Sequence, residues 1–320
     1  MSHVKNYLSL IKFSHTIFAM PFAFIGFFLG VSRNIELSTG MVGVKPEGMG
    51  RYPILAANNV IPGWDTHLDM RHYLITLLLV VLCMVFARSA AMAFNRYLDR
   101  RFDALNPRTA IREIPKGIIA PRHALIFTVA NCVLFVAAAF FINPICFYLS
   151  PVALAVVLGY SYTKRFTPLC HLILGLGLSL APIGAYLAVT GVFHLLPVLF
   201  SIAVICWVSG FDIIYALQDV DFDQSQALYS IPAWLGKSSA LRVSNLLHVL
   251  SALAVIAAGF LGNFGLLYWG GVLVFIACLI YQHSIVKPND LRRVNLAFMT
   301  TNGIASVVFA LFVIADLLWL

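Results

Sequence analysis

Residues 73–103 read YLITLLLVVLCMVFARSAAMAFNRYLDRRFD, an apolar run broken only by Arg88 that passes straight into Asn95, Asp99 and Asp103. A hydrocarbon core about 30 Å thick needs roughly 20 apolar residues of helix. The stretch therefore predicts a transmembrane helix that ends in carboxylates. The junction occurs once more: the apolar run 192–214 gives way to YALQDVDFD, with Asp219, Asp221 and Asp223. Asp99 and Asp219 are 120 residues apart, and so are Asp103 and Asp223. The chain has 13 acidic residues in 320, and five of them stand in these two clusters. So apolar a chain with its acids gathered in two matched places points to metal binding, and so to an enzyme rather than a passive membrane component.

Composition agrees. The chain is 61% hydrophobic and 11% charged, against about 25% charged for soluble domains. It reads as an all-α polytopic membrane protein with nine spans, near 16–32, 73–94, 123–142, 145–162, 169–189, 192–214, 243–261, 265–283 and 296–318. The first follows only a weakly basic stretch and lacks a small-x-small cleavage site, so it is taken as a retained helix rather than a signal peptide. With the N-terminus inside, 16 of the 21 Lys and Arg fall in inward gaps and four in outward ones. That asymmetry places both acidic clusters on the cytoplasmic face. The net charge of +8 is thereby mostly topology, and nucleic-acid binding is not expected. The six cysteines lie in or beside apolar spans without a C-x-x-C pair, as small buried hydrophobes do.

Three outward gaps are very short, at Asn143-Pro144, Thr190-Gly191 and Gly262-Asn263, and predict tight helical hairpins. The exception is 33–72, rich in Gly, Pro and Asn, which reads as an outward-facing insertion in a single domain spanning 1–320. The inward gaps after spans two and six hold the acids, and each continues into an Ile-Pro, at Ile114-Pro115 and Ile231-Pro232. Corresponding loops four spans apart predict an internal repeat of four helices plus one extra. Membrane folds built from repeats place their site at the repeat interface.

Asn95, Asp99 and Asp103 fall at i, i+4 and i+8, which stacks them on one helix face. Asp212, Tyr215 and Asp219 follow at i, i+3 and i+7, with Asp223 one turn on. Oxygen ligands of this kind suit Mg²⁺, which takes one or two carboxylates, several waters and phosphate oxygens. Solvated loop acids, or pairing with Arg96, Arg100 and Arg101, account for part of the first cluster. They leave the second, which has no neighbouring base in sequence. The same loops carry Arg108, Arg112, Lys164 and Arg165, and metal plus cations is what a diphosphate requires. Each of these is also a plain topology anchor when taken alone. Arg88 lies inside a span, where an ionisable residue has a defined partner.

These residues carry a resemblance. NRYLDRRFD resembles the first N-x-x-x-D-x-x-x-D motif of the UbiA-type intramembrane prenyltransferases, and YALQDVDFD their second D-x-x-x-D motif. NPRTAIREIPKG and SIPAWLG resemble the loop continuations, and KRFTPL the basic motif after span four. IKFSHTIFAMPFAFIGFFLG and GFDIIYALQD are most similar to the 4-hydroxybenzoate polyprenyltransferase branch. Two features depart from that pattern: a longer 33–72 insertion, and Glu113 where many members have proline.

The resemblance implies a UbiA-like fold and Mg²⁺-dependent transfer of a polyprenyl group from polyprenyl diphosphate to an aromatic acid. The acceptor would be 4-hydroxybenzoate or, alternatively, 1,4-dihydroxy-6-naphthoate, in ubiquinone or menaquinone biosynthesis. Asp99, Asp103, Asp219 and Asp223 would hold the metal, with Asp99 and Asp219 indispensable to catalysis. Asn95, Arg88, Arg108, Arg112, Lys164, Arg165, Asp212 and Tyr215 would contact substrates. The setting implied is a bacterial inner membrane, with the N-terminus and active-site loops cytoplasmic and the donor entering from the bilayer. The rival of another class is a cation-coupled transporter, whose acids would sit near the bilayer midplane on broken helices. Here they lie at helix ends, and no obvious Gly/Pro interruption breaks a span at mid-depth.

Overall fold

The computed structural model describes residues 3–11, 18–38 and 70–319. Most of the expected insertion, 39–69, lies outside them. The helices are α1 His3–Leu10, α2 Met20–Ser38, α3 Met70–Leu105, α4 Pro121–Ile142, α5 Pro144–Thr163, α6 Cys170–Thr190, α7 Leu195–Ala216, α8 Val220–Ser225, α9 Ile231–Leu235, α10 Lys237–Leu261, α11 Leu266–Ile285 and α12 Asn302–Trp319. Among the described residues there is no strand, only one antiparallel bridge between Lys287 and Asp290.

Eight helical segments are long and apolar enough to cross a membrane, and the chain is an integral, multi-pass membrane protein. The expected ninth span is α2. Its apolar part, Met20–Ile35, rises about 24 Å at 1.5 Å per residue, short of a core about 30 Å thick. The second span runs beyond the expected 73–94, because α3 continues unbroken through the acidic motif to Leu105. Pro151 and Pro182 lie inside α5 and α6, and both helices carry on through them, so neither span is broken.

The centre of the molecule is α7. It is buried on nearly all sides and packs against α6 and α10, while α2 crosses α6 and α12. Aromatic rings fill the core around it: Trp207, Phe200, Phe22, Tyr268, Phe275 and Phe309 are fully buried. Lipid tails are as apolar as leucine, so helix association here depends on close packing and interhelical hydrogen bonds. Both are visible. A β-carbon on Gly26 would overlap the carbonyl of Pro182, and one on Gly175 would stand 2.6 Å from the carbonyl oxygen of Ile205. Ser201 and Ser209 donate from α7 to the carbonyls of Ser179 and His171 on α6, at 2.8 and 3.0 Å. Ser244 and Ser251 donate from α10 to Gly210 and Ala203 on α7, at 2.7 and 2.8 Å.

The tight hairpins form as expected. One residue, Asn143, separates α4 from α5. Its side chain accepts from Cys146 N at 2.8 Å and donates to the carbonyls of Leu187 and Ala188, at 2.8 and 3.3 Å, near the end of α6. Gly191 closes α6 with φ 68°, the left-handed conformation that glycine adopts without cost. At the start of α11, buried Asp316 of α12 accepts from Gly265 N at 2.8 Å and Tyr268 N at 3.2 Å, satisfying donors a helix N-terminus leaves open.

Candidate active site

Because α3 is continuous, Asn95, Asp99 and Asp103 do stack along one face, and Asn95 Nδ2 donates to Asp99 Oδ2 at 3.0 Å. The second cluster is less regular than a single helix. After α7 the backbone tightens into a 3-10 turn, Leu217–Asp219, and reopens as α8. Asp223 is fully buried there, whereas Asp221 is exposed and stands apart from the site.

The loop after α3 folds back on the helix end. Asn106 Oδ1 accepts from Arg108 N at 2.9 Å, and Thr109 Oγ1 donates to the carbonyl of Asp103 at 3.1 Å. That fold turns two cations inward. Arg108 forks onto Asp219, with Nε 3.1 Å from Oδ1 and Nη2 on Oδ2, while Nη1 donates to Tyr215 Oη at 2.7 Å. Arg112 Nη1 donates to Asp103 Oδ1 at 2.6 Å. From the end of α5, Lys164 Nζ lies 2.7 Å from Asp223 Oδ1 and Arg165 Nη2 lies 3.3 Å from Asp99 Oδ1. The four acids expected to bind metal are thus each matched to one of the four expected cations. The sequence suggested no base beside the second cluster; the fold supplies two, from loops remote in sequence.

These eight side chains, with Asn106, Phe102 and Phe222, line a cavity of ≈ 110 Å³. One water needs only about 10–15 Å³, so there is room for a ligand headgroup with water. Burial works against the charge on Lys164 and on Arg108. In both the carboxylate partner outweighs it, and their pKa values are raised.

Two expected residues, Arg88 and Asp212, lie earlier on their helices than the acids of the cavity and do not line it. Arg88 is two helical turns before Asn95, with Nε buried and without a hydrogen-bond partner. Asp212 stands one turn before Tyr215 on α7. Tyr215 stacks near Phe298, with ring centroids 4.2 Å apart.

Sequence reading missed Asn106, Arg96, Ser230 and His171. Asn106 Nδ2 donates to Asp219 Oδ1 at 3.3 Å, and the Asn-Pro dipeptide there was a legible turn signal. Arg96 is 3% exposed, with Nη1 buried and unpartnered. Ser230 donates to Asp223 Oδ2 at 2.9 Å while capping α9, a role its place before Ile-Pro could have suggested. His171 Nδ1 donates to Asp212 Oδ2 over 2.7 Å, and no sequence signal marked it.

The donor set fits Mg²⁺. It consists of carboxylates alone, and Asp103 Oδ2 is buried without a hydrogen-bond partner. Among the described residues, no three His, Cys, Asp or Glu come together as a closed cage. That spread suits an ion that keeps waters and takes substrate phosphate oxygens alongside one or two carboxylates.

Comparison with known proteins gives a consistent result. The model of the UbiA prenyltransferase family matches residues 54–304. The 4-hydroxybenzoate octaprenyltransferases of Aeromonas hydrophila and Aeromonas salmonicida are each 30% identical over 73% of this chain, covering 82% and 81% of their own lengths. A UbiA homolog from Aeropyrum pernix K1, solved in apo form, superposes with a TM-score of 0.72 at 29% identity, covering 95% of this chain and 97% of that one. A UbiA homolog from Archaeoglobus fulgidus, solved bound to DMAPP and Mg²⁺, shares the fold with a TM-score of 0.69 at 20% identity, over 98% of this chain and 100% of that one.

Proposed function

The chain belongs to the UbiA prenyltransferase family, and from that premise we propose that it transfers a polyprenyl group from polyprenyl diphosphate to the ring of 4-hydroxybenzoate in quinone biosynthesis. The observation that carries this reading is the cavity where four carboxylates and four cations face one another. The acceptor follows the Aeromonas relatives, and the diphosphate donor and divalent metal have a precedent in the Archaeoglobus homolog.

In this reading Asp99, Asp103, Asp219 and Asp223 hold Mg²⁺, whose chemistry is to stabilise negative charge developing on the departing diphosphate. Arg108, Arg112, Lys164 and Arg165 would donate to the diphosphate oxygens as the carbon–oxygen bond breaks. Asn95 holds Asp99 in register, and Tyr215 holds Arg108. Arg88 receives the acceptor's carboxylate. An electron-rich ring carbon bonds to the allylic carbon, and the ring proton is lost. Apolar helix faces exclude water from the allylic cation. The whole chain acts as one domain with 33–72 as an insertion on the far face, and the cavity faces the cytoplasm of a bacterial cell across its inner membrane.

Purified protein with Mg²⁺, a polyprenyl diphosphate and 4-hydroxybenzoate should release diphosphate and yield a prenylated ring. The same assay with 1,4-dihydroxy-6-naphthoate divides the two acceptors. Product from neither ring overturns the reading.

A further inference from the structure

The hydrogen-bond chain that begins at Lys164 and Asp223 continues beyond the cavity. Ser230 donates to Asp223 Oδ2 at 2.9 Å and accepts from Ala233 N at 3.2 Å, so it fixes the first turn of α9 against that acid. The next residue, Ile231, directs its N–H at Nε2 of His171, 3.4 Å away. With Nε2 assigned as the acceptor of this N–H, Nδ1 carries the hydrogen and donates to Asp212 Oδ2 at 2.7 Å.

His171 is 3% exposed, and its backbone carbonyl accepts from Ser209 of α7. Ring and backbone are both tied down, which leaves the imidazole one orientation. Asp212 differs: 23% of its side chain is open. It stands one turn before Tyr215 on α7, and the Tyr215 hydroxyl accepts from Arg108, which lines the cavity. The carboxylate that His171 holds is therefore partly open and one helical turn from a residue that touches the cavity lining.

We propose that His171 is a positioning residue for the acceptor: it holds Asp212 as an oriented anionic hydrogen-bond acceptor for a ring hydroxyl, and through Ile231 and Ser230 it keys that carboxylate to Asp223 at the diphosphate end. The inference rests on the prenyl-transfer reading of the site. A hydroxyl that donates to a carboxylate leaves more electron density in its ring, which favours bonding to the allylic carbon. The hydroxyl proton stays on its oxygen in this contact, so no transfer step is added to the reaction. The chemistry selected is an electron-rich aromatic ring bearing a hydroxyl.

The test uses the full chain, purified and active, with steady-state constants for donor and acceptor measured separately. His171→Phe removes the donor, and His171→Asn puts an amide N–H near the place of Nδ1. His171→Phe is expected to lower kcat/KM for 4-hydroxybenzoate about 10–100-fold, the size of a lost hydrogen bond to a charged group. The donor KM should stay within about 2-fold, and His171→Asn should recover most of the loss. Asp212→Asn should show the same acceptor-side loss, and the double variant no more than either single one. If His171→Phe does not fold, His171→Gln replaces it, and acceptor constants equal to those of His171→Asn overturn the proposal. Equal losses on both substrates, or a lower melting temperature with acceptor constants intact, mean a simple brace between helices and also overturn it. An inactive wild-type protein strikes the prenyl-transfer reading itself, and this inference with it, before any variant is made.

Discussion

Arg108 grips Asp219 across 111 residues of sequence with two nitrogens and both carboxylate oxygens, while its third nitrogen holds Tyr215. A guanidinium fork has the geometry for this, and an ammonium does not. Arg108→Ala should lower kcat/KM for the polyprenyl diphosphate by about 10²–10³, as removal of a charge-stabilising donor does. Arg108→Lys should recover little of it. Diphosphate release at varied donor concentration is the measurement, and near-full rescue by lysine would count against the fork.

Asp99→Asn and Asp219→Asn keep shape and remove charge. Both should abolish turnover in protein that still elutes as a folded species. Turnover retained in both would falsify the metal-holding role.

Arg165 offers a contrast. Its contact with Asp99 is 3.3 Å long, with the two side chains 35% and 27% exposed. Pairs of that kind contribute less than about 1 kcal/mol. Arg165, with the longest of the four contacts, should therefore matter less, and Arg165→Ala should cost less activity than Arg108→Ala. A loss as deep as that of Arg108→Ala would reverse this ranking of the cations.

Chelation separates activity from stability. Each acid in the cavity already has a cation partner, so the fold does not depend on metal to neutralise it. EDTA should abolish turnover and leave the melting temperature of the detergent-solubilised protein unchanged. A large fall in melting temperature would show a structural metal instead.

Asp316 tests the far side of the bundle. It is 2% exposed and satisfies two backbone donors at the start of α11. Asp316→Ala should destabilise the protein by about 1–2 kcal/mol, as loss of a helix cap does, with kcat unchanged below the melting transition. Thermal melting beside an activity assay reads both.

What was legible in the sequence is what depends on neighbours in sequence. Apolar length gave the spans, and i, i+4 spacing placed Asn95, Asp99 and Asp103 on one face. The Asn143 and Gly191 hairpins followed from residue type. What could not be read depends on the approach of distant segments. DVDFD has no adjacent base, yet Lys164 and Arg108 reach it from two other loops. His171 stands in an apolar run like any packing residue until the fold sets Asp212 beside it.

Asn143 has a mechanical consequence. It ties α4, α5 and α6 together through neutral dipoles at one end of α5, whereas Lys164 and Arg165 at the other end hold their acids by exchangeable charge. A rod clasped at one end by neutral bonds and holding its charged partners at the other acts as a lever, with the pivot at the clasp. The 20 residues of α5 make an arm of about 30 Å at 1.5 Å per residue. A tilt of about 4° then moves the charged tip by about 2 Å, roughly the difference between touching a carboxylate and touching a phosphate beside it. A change of partner at the charged tip therefore asks only a small rotation of α5, with the Asn143 clasp left in place.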